Sequence, residues 1–278
     1  MLSKFICPIT QFPDLEKIIQ QISFKNFDIL ISALGRGGSN ADIFKKNLSE
    51  DLALWKNFNS GHTSDVKVLS LELKIPDDII SAHDSKVIAG FINNLSSEVK
   101  DKISQPVTIF IEGTLGEEWK DSSSALIDGI ELHNQNSFDT GFKFRTGGVT
   151  ADAFPDSGKI SYCIRKCLDR KVPLKFTAGL HHPFPVFESE MAVTMQGFIN
   201  VFAAGIIAMR HDISVREMDE ILNDANPSNF IFTEESFSWR DWKVEIDDIE
   251  FARKNLVLSF GSCSFDEPVD DLRSLHLL

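Results

Sequence analysis

The spacing of the apolar segments limits the possible folds more than any other feature of this sequence. Runs with strand character start at intervals of 38, 41, 34 and 32 residues, and segments with helical apolar spacing lie between them. This alternation is typical of parallel strands joined by right-handed crossovers. Such strands form either a barrel or an open doubly wound sheet. We predict a TIM-barrel-like α/β fold, incomplete or distorted because only five strands are secure. The five runs cover residues 28–34, 66–74, 107–112, 141–146 and 173–178.

The sequence changes character after residue 186. Residues 188–210 are apolar almost throughout, which is typical of a buried helix or of a helix that packs against another subunit. We therefore expect a homo-oligomer. Residues 230–244 alternate as two short strands around a polar turn, which predicts an antiparallel hairpin. The predicted organisation is one barrel-like domain over residues 1–278, with regular βα units in 1–186 and helices, the hairpin and a C-terminal tail in 187–278.

Composition excludes several classes of partner. The net charge of −13 argues against a general nucleic-acid surface, which needs clustered Lys and Arg to neutralise phosphates. The N-terminal apolar run is too short for a signal peptide, and no stretch reaches the roughly 18 apolar residues of a membrane helix. We expect a cytoplasmic protein without a membrane partner. The four cysteines lack the paired spacing of a zinc knuckle and are interpreted as free thiols.

Two consecutive strands carry a lysine where a buried parallel strand would normally be apolar. In "GFKFRT" Lys143 and Arg145 share one face, opposite two phenylalanines, because side chains alternate along a strand. In "PLKFTA" Lys175 and Thr177 lie opposite Leu174 and Phe176 in the same way. Since buried charges are costly unless they pair or hold a ligand, this polar face predicts a site inside the barrel.

The site is expected at the carboxyl ends of the strands, where parallel α/β folds bind ligands. Glycines after several strands would let backbone N–H groups approach a phosphate or carboxylate. Arg36, flanked by glycines after the first strand, suits either an anion clamp or a simple turn. The candidate catalytic residues are Lys143, Lys175, Glu112 and His181. The candidate substrate-binding residues are Arg36, Gly37, Glu72, Lys74, Arg145, Thr146, Gly147, Gly148, Thr177, Gly179 and His182.

The stretches "FKFRTGGVTADAFP" and "PLKFTAGLHHPFP" carry a family resemblance. Over about residues 141–182 they resemble the paired lysine strands of deoxyribose-phosphate aldolase and related class I aldolase barrels. That resemblance implies a Schiff base on one lysine of the pair Lys143 and Lys175, with the other lysine favouring its neutral amine. Together with the tail "FGSCSFDEP", the same stretches resemble an uncharacterised bacterial family with a barrel-like α/β fold. Arg145 and the histidine pair have no counterpart in the aldolase pattern.

The adjacent His181 and His182 point in different directions, so one of them is expected to reach the site as acid or base. With Glu72 and Glu112, a histidine would also make a divalent-metal set, although the spacing does not support one and the expectation is no metal and no cofactor. Cys263 lies among carboxylates, which disfavour a thiolate. A nucleophilic role for it would therefore require one of the two histidines nearby.

Three classes of function remain open. The first is a lyase or aldolase-like enzyme that acts on a small phosphorylated or carboxylated metabolite through a lysine amine. The second is a phosphoribosyltransferase-like or decarboxylase-like barrel whose cationic residues bind the substrate without a covalent step. The third is a ligand-binding or scaffold protein without catalysis. In each of them the expected partner is a small anionic metabolite.

Overall fold

The computed structural model describes residues 3–21, 28–61, 65–136 and 140–278. The chain forms two compact units, each of which draws on two stretches of sequence. The first unit contains residues 1–112 and 128–141, and the second contains residues 113–127 and 142–278.

The first half of the chain follows the predicted alternation of strands and helices. Its elements are β1 (Phe5–Pro8), α1 (Phe12–Gln21), β2 (Ile29–Leu34), α2 (Ala41–Ser60), β3 (Val66–Leu73), α3 (Asp77–Ile80), α4 (Ser85–Lys102), β4 (Thr108–Glu112) and α5 (Trp119–Asn134). The second half continues with β5 (Thr140–Arg145), α6 (Ser157–Arg170), β6 (Leu174–Thr177), β7 (Val186–Glu188), β8 (Val193–Met195), α7 (Phe198–His211), α8 (Val215–Leu222), β9 (Phe230–Phe232), β10 (Ser236–Trp239), β11 (Trp242–Glu245), α9 (Ile246–Asn255), β12 (Val257–Gly261) and α10 (Asp266–Ser274).

The principal sheet has seven strands in the order β1-β2-β3-β4-β5-β6-β12. In the first unit β1, β2, β3 and β4 pair in parallel, and in the second unit β5, β6 and β12 do the same. All five predicted strands are confirmed to within two residues at each end. The fold is therefore barrel-like α/β with a half-barrel strand order. A complete TIM barrel is not confirmed, because β1 and β12 end the order within the described residues.

Side-chain caps fix where several helices begin. Asn40 accepts a hydrogen bond from the N–H of Ile43 at 2.9 Å, and Asp84 and Asp156 cap α4 and α6 in the same manner. Ser214 and Glu217 form a reciprocal capping box at the start of α8. Each cap satisfies N–H groups that have no partner inside the helix. The alternation read from apolar spacing is thus reinforced by polar residues at the helix starts.

An aromatic layer joins the second unit's strands to α7. The ring of Phe176 lies 6.5 Å from Phe144 on β5 and 6.4 Å from Phe202 on α7. Phe260 on β12 stacks on Phe198 at 5.1 Å. These rings occupy the face of the strands opposite the lysines, as side-chain alternation predicts. Burial of large rings on this face is the main apolar contribution to the unit.

The prediction of one helix over residues 188–210 is wrong at its start. Residues 186–195 form the antiparallel pair β7–β8, in which Ala192 has the positive φ of 52°. Helix α7 begins only at Phe198, and most of its side chains are buried within the chain. The apolar sequence is therefore explained without a second subunit, and the homo-oligomer stays a prediction. None of the helices in the described residues has the length and apolar character needed to cross a bilayer.

The predicted hairpin over residues 230–244 contains a third strand. β9, β10 and β11 form an antiparallel sheet in the order β11-β10-β9. The predicted polar turn lies between β9 and β10, and a second turn at Arg240 and Asp241 joins β10 to β11. Arg240 has a positive φ of 49°, which gives the tight reversal. The C-terminal tail supplies β12 and the acidic helix α10, as predicted.

A buried carboxylate joins this small sheet to the rest of the second unit. Asp224 accepts hydrogen bonds from the indole of Trp239 at 2.8 Å, from the side chain of Asn229 at 2.7 Å and from the N–H of Asn226 at 3.0 Å. The Arg240 guanidinium lies 3.2 Å away. Burial alone would raise the pKa of Asp224, but these donors outweigh burial and lower it below its ordinary value.

We expect Asp224→Asn to lower the free energy of unfolding by about 2–3 kcal/mol, because an NH₂ group would replace an oxygen that faces donors. Since the folded-state pKa is lowered, the charged form stabilises the fold fully above the unfolded aspartate pKa of about 3.9. That contribution is lost as the pH falls through the folded-state pKa. Urea unfolding of both proteins at several pH values measures the effect.

The matched control is Asp241→Asn, which removes an exposed carboxylate from the neighbouring turn. It should change the unfolding free energy by about 0.5 kcal/mol or less. Equal unfolding curves for the Asp224 variant and the natural protein at neutral pH would show that this carboxylate does not stabilise the unit.

Candidate functional site

The carboxyl ends of β5, β6 and β12 lie side by side in the second unit. Lys143 is the register partner of Lys175, and Arg145 is the partner of Thr177. On the other side of β6, Ser259 pairs with Lys175 and Gly261 pairs with Thr177. Partners in register on parallel strands present their side chains to the same face. Two lysines, an arginine, a threonine and a serine therefore share one face of the second unit.

The two lysines are deeply placed. Lys143 is 6% exposed and Lys175 is 4% exposed, so both side chains are buried. Arg145, one step nearer the carboxyl end of β5, is exposed, and its Nε donates to the carbonyl of Gly147 at 3.2 Å. On this face the two lysines are therefore buried, and Arg145 is exposed at the carboxyl end of β5. Positive charge on such a face attracts an anionic ligand more strongly than the same charge does in bulk water.

The Thr177 hydroxyl adds a polar group to this face. Thr177 is 7% exposed, and its Oγ1 has no hydrogen-bond partner among the described residues. Buried hydroxyls without partners are uncommon, because each leaves a desolvated polar group unsatisfied. A ligand oxygen beside Arg145 would supply the missing partner. Thr177 is therefore the strongest single indication of a binding site at this edge.

Backbone hydrogen bonds hold the loops after these strands together. The Thr146 N–H donates to the Thr177 carbonyl at 2.8 Å, and the Thr146 hydroxyl donates to the Ala178 carbonyl at 2.5 Å. The N–H of Ala178 in turn donates to the Gly261 carbonyl at 3.1 Å. Thr146 was predicted to bind substrate. Its hydroxyl is instead engaged in positioning the loop that follows β6.

Glycines make the close approach of these loops feasible. A Cβ added to Gly147 would come within 2.6 Å of the Gly179 Cα, and one added to Gly179 would come within 2.5 Å of the Thr146 carbonyl oxygen. Ala178 and Gly179 also have positive φ values of 64° and 71°. This left-handed pair reverses the chain after β6. Gly148 is half-buried beside the Arg145 guanidinium.

The start of α7 also holds the loop after β6, which carries His181 and His182. Gly197 caps α7 without a side-chain bond, so the first helical N–H groups need other acceptors. Phe198 donates to the His182 carbonyl and Ile199 donates to the Pro183 carbonyl, both at 3.0 Å. The loop after β6 is therefore attached to β5, to β12 and to α7. Its two histidines project from a well-supported backbone.

Both histidines pair with carboxylates of α10. His181 Nδ1 lies 2.9 Å from Glu267 Oε2, and His182 Nδ1 lies 2.6 Å from Asp271 Oδ2. Glu267 and Asp271 are one helical turn apart on α10, which matches two neighbouring histidines. Each of the two histidines therefore has its own carboxylate partner. Sequence reasoning did not single out Glu267 or Asp271 as partners.

The other ring nitrogen of His181 faces a thiol. Cys263 Sγ lies 3.6 Å from His181 Nε2, within hydrogen-bond distance for sulfur. Cys263 is exposed, whereas Cys7, Cys163 and Cys167 are buried. Burial raises the pKa of the Cys163 thiol to about 12 and raises the pKa of Cys7 and Cys167 as well. The histidine that the sequence analysis required for a reactive Cys263 is therefore in place.

Five predicted site residues belong to the first unit. There Glu72 is buried and accepts a hydrogen bond from the Ser32 hydroxyl at 2.6 Å, while Ser32 and Ser70 are 2.7 Å apart. Lys74 pairs with Asp77 at the surface. The remaining members of this group are Arg36, Gly37 and Glu112, the last residue of β4.

Arg36 has a structural role in the first unit. Its Nε donates to Asp51 at 2.7 Å, and its Nη2 lies 3.0 Å from Glu50 on the same helix, α2. Burial lowers the pKa of Arg36, but the hydrogen bonds that it donates to the two carboxylates outweigh burial and raise the pKa. Gly37 follows with a φ of 65°. Of the two interpretations of this stretch, the contacts favour a turn anchored to α2.

Metal binding gains no support from the geometry. Within the described ranges, no set of three or more His, Cys, Asp or Glu side chains could hold a metal ion. A surface cleft in the first unit, lined by residues that include Lys100, Gln105 and Thr108, lies at the amino-terminal start of β4. That cleft is at the opposite end of β4 from Glu112. It lies outside the predicted site.

Comparisons of this chain with protein-family models, with curated proteins and with solved structures found no match. The resemblance to aldolase barrels therefore stays a prediction that depends on the quoted residues.

We expect Gly179→Ala to destabilise the second unit by about 2 kcal/mol or more, because a Cβ there adds the left-handed backbone cost to a backbone clash. Ala178→Gly is the matched control. It relieves the same backbone cost at the preceding position and should leave stability unchanged or slightly higher. Thermal unfolding of both variants measures the difference. Equal melting temperatures for the two variants would contradict the proposed packing of the loops.

We expect Arg36→Ala to cost about 1.5–3 kcal/mol of unfolding free energy, because it leaves the buried Asp51 carboxylate without its charged partner. Lys67→Ala, which breaks an exposed pair with Asp28 in the same unit, should cost about 0.5 kcal/mol. Urea unfolding separates the two outcomes. A clamp for an exogenous anion would instead show an Arg36 variant of normal stability with weakened anion binding.

Proposed function

We propose that this protein is an enzyme that acts on a small phosphorylated or carboxylated metabolite, by lyase chemistry of the aldolase type. The observation that carries the proposal is the register of β5 and β6, which sets Lys143 beside Lys175 and Arg145 beside Thr177 on one face. The ligand would lie at the carboxyl ends of β5, β6 and β12. This is the edge where parallel α/β folds place their chemistry.

In this proposal Arg145 and Thr177 hold the anionic group. Arg145 is exposed and presents a planar set of donors that suits phosphate or carboxylate. The Thr177 hydroxyl would donate to a ligand oxygen and so satisfy its hydrogen-bonding capacity. The N–H groups of Gly147 and Gly148, two and three residues after Arg145, are further candidate donors.

A lysine amine supplies the covalent step. The nitrogen of Lys175 or Lys143 adds to the substrate carbonyl carbon, water leaves, and an iminium forms. The iminium then accepts the electron pair of the bond between the substrate's α and β carbons as that bond breaks, and the β-hydroxyl gives up its proton and becomes a carbonyl. The enamine that remains takes a proton at carbon, and water hydrolyses the resulting iminium to release the second product and the free lysine. His181, six residues beyond Lys175, is the proposed proton carrier.

The burial of the lysines supports a second candidate function. At 6% and 4% exposure, both can act as fixed positive charges that stabilise an anionic transition state without a covalent bond. This role fits the phosphoribosyltransferase-like or decarboxylase-like alternative. The two functions share the anion site and differ in whether an imine forms.

Borohydride trapping distinguishes the two functions. The protein is incubated with a panel of small aldehydes and 2-keto acids, reduced, digested and mapped by mass spectrometry. The lyase proposal predicts a reduced adduct on Lys175 or Lys143. We expect the adduct to disappear when the modified lysine is replaced by arginine. Lys171→Arg, which alters an exposed lysine of the same unit, should leave the adduct unchanged.

Binding of inorganic phosphate to Lys143→Ala and Lys175→Ala decides the remaining outcomes. Weakened phosphate binding without any adduct would support the non-covalent function. Unchanged binding together with no adduct on either residue would remove both lysines from the mechanism. The lysines would then be structural.

A further inference from the structure

Cys263, His181 and Glu267 form a chain of three groups in the second unit. Glu267 Oε2 lies 2.9 Å from His181 Nδ1, and His181 Nε2 lies 3.6 Å from Cys263 Sγ. The carboxylate and the thiol therefore contact opposite nitrogens of one imidazole. This is the arrangement in which a carboxylate orients a base and the base activates a nucleophile.

The carboxylate determines the proton positions. Because an ionised carboxylate can only accept hydrogen bonds, the Glu267 contact requires the proton on His181 Nδ1. A neutral imidazole then leaves Nε2 as an acceptor that faces the thiol. Carboxylates close to a thiol disfavour a thiolate. In the structure, Glu267 contacts the imidazole of His181, and the opposite nitrogen of that imidazole faces Cys263.

Accessibility separates Cys263 from the other thiols. Cys263 is exposed at the start of the loop that leads into α10, and His181 is about one-fifth exposed. Cys163 and Cys167 are buried in α6, and Cys7 is buried in β1. A small reagent or substrate can therefore reach the thiol that faces the histidine. The buried thiols provide an internal reference for reactivity.

We propose that Cys263 is a catalytic nucleophile, activated by His181 and Glu267, that accepts an acyl group from a carboxylic ester or thioester. His181 Nε2 takes the thiol proton as sulfur attacks the acyl carbon. The carbonyl re-forms, the alcohol or thiol leaves with the proton from Nε2, and an acyl-thioester remains on Cys263. His181 then deprotonates a water molecule that attacks the thioester, which releases the acid and restores the thiol. This activity does not depend on lysine chemistry.

Alkylation with iodoacetamide tests the activation of the thiol. In this reaction His181 Nε2 takes the thiol proton, and the Cys263 sulfur displaces iodide from the reagent. Mass spectrometry then locates the carboxamidomethyl group that is left on the protein. At pH 7 we expect Cys263 to react about tenfold faster than glutathione or more, because a positioned base contributes roughly 10²–10⁴-fold to proton transfer. Cys163 and Cys167 should stay unmodified in the folded protein. A rate equal to that of glutathione overturns the proposal.

Two variants test whether His181 and Glu267 activate the Cys263 thiol. His181→Gln should reduce the alkylation rate about tenfold or more, and Glu267→Gln should reduce it by a smaller factor because the imidazole remains. Asp271→Asn is the matched control, since it removes a carboxylate from the same helix one turn away without touching the Cys263 chain. Its rate should equal that of the natural protein. Unchanged alkylation rates in both the His181 and the Glu267 variants overturn the proposal.

Exposure to p-nitrophenyl acetate tests the acyl step. We expect a burst of p-nitrophenol and a transient acetyl group on Cys263, both absent in Cys263→Ser. Glu267 is nearly half exposed, so its variant should remain folded even if the His181 variant does not; circular dichroism checks both. Fast alkylation without any acetyl-enzyme would overturn the assignment of acyl transfer. Acetylation at other residues at the same rate would overturn it as well.

Discussion

The parallel register of β5, β6 and β12 is the constraint on which the rest of the second unit depends. It aligns Phe144, Phe176 and Phe260 on one face, where the rings of Phe176 and Phe260 contact those of α7. Because side chains alternate, the same register aligns the two lysines on the other face. A shift of one residue in β6 would place Lys175 among the aromatic rings. Burial of the rings therefore fixes the position of the charges.

The loop after β6 carries this constraint into the candidate site. Its left-handed residues Ala178 and Gly179 fit only because glycines occupy the contact with the loop after β5. Beyond them, α7 holds the backbone of the loop through the His182 carbonyl. The histidine side chains are then free to meet α10. A single loop thus joins the charged face to the imidazole, carboxylate and thiol groups.

The sequence was sufficient to predict what depends on local periodicity. Strand alternation placed Lys143 and Lys175 on one face, and apolar spacing located the strands that carry them. Local patterns could not reveal pairs formed by residues far apart in the chain. His181 and Glu267 are separated by 86 positions, and Arg36 meets Asp51 only once α2 has packed beside β2.

Other errors have specific physical causes. Residues 188–195 were joined to the apolar run that follows them, although four of the eight are polar. The positive φ of Ala192 reverses the chain there between two short strands. The strand β1 is only four residues long and ends at a proline, so it lacks a recognisable alternation. For Cys263, the nearby carboxylates were visible in the sequence, but their effect depends on which of them contacts His181. That information exists only in three dimensions.

We propose that a small anion binds at the carboxyl ends of β5, β6 and β12. Titration of the isotope-labelled protein with inorganic phosphate, followed by amide NMR at constant ionic strength, tests it directly. We expect saturable shifts of the Gly147, Gly148 and Gly179 amides that are lost in Arg145→Ala. Saturable shifts confined to other parts of the chain, or none at these glycines, would contradict it.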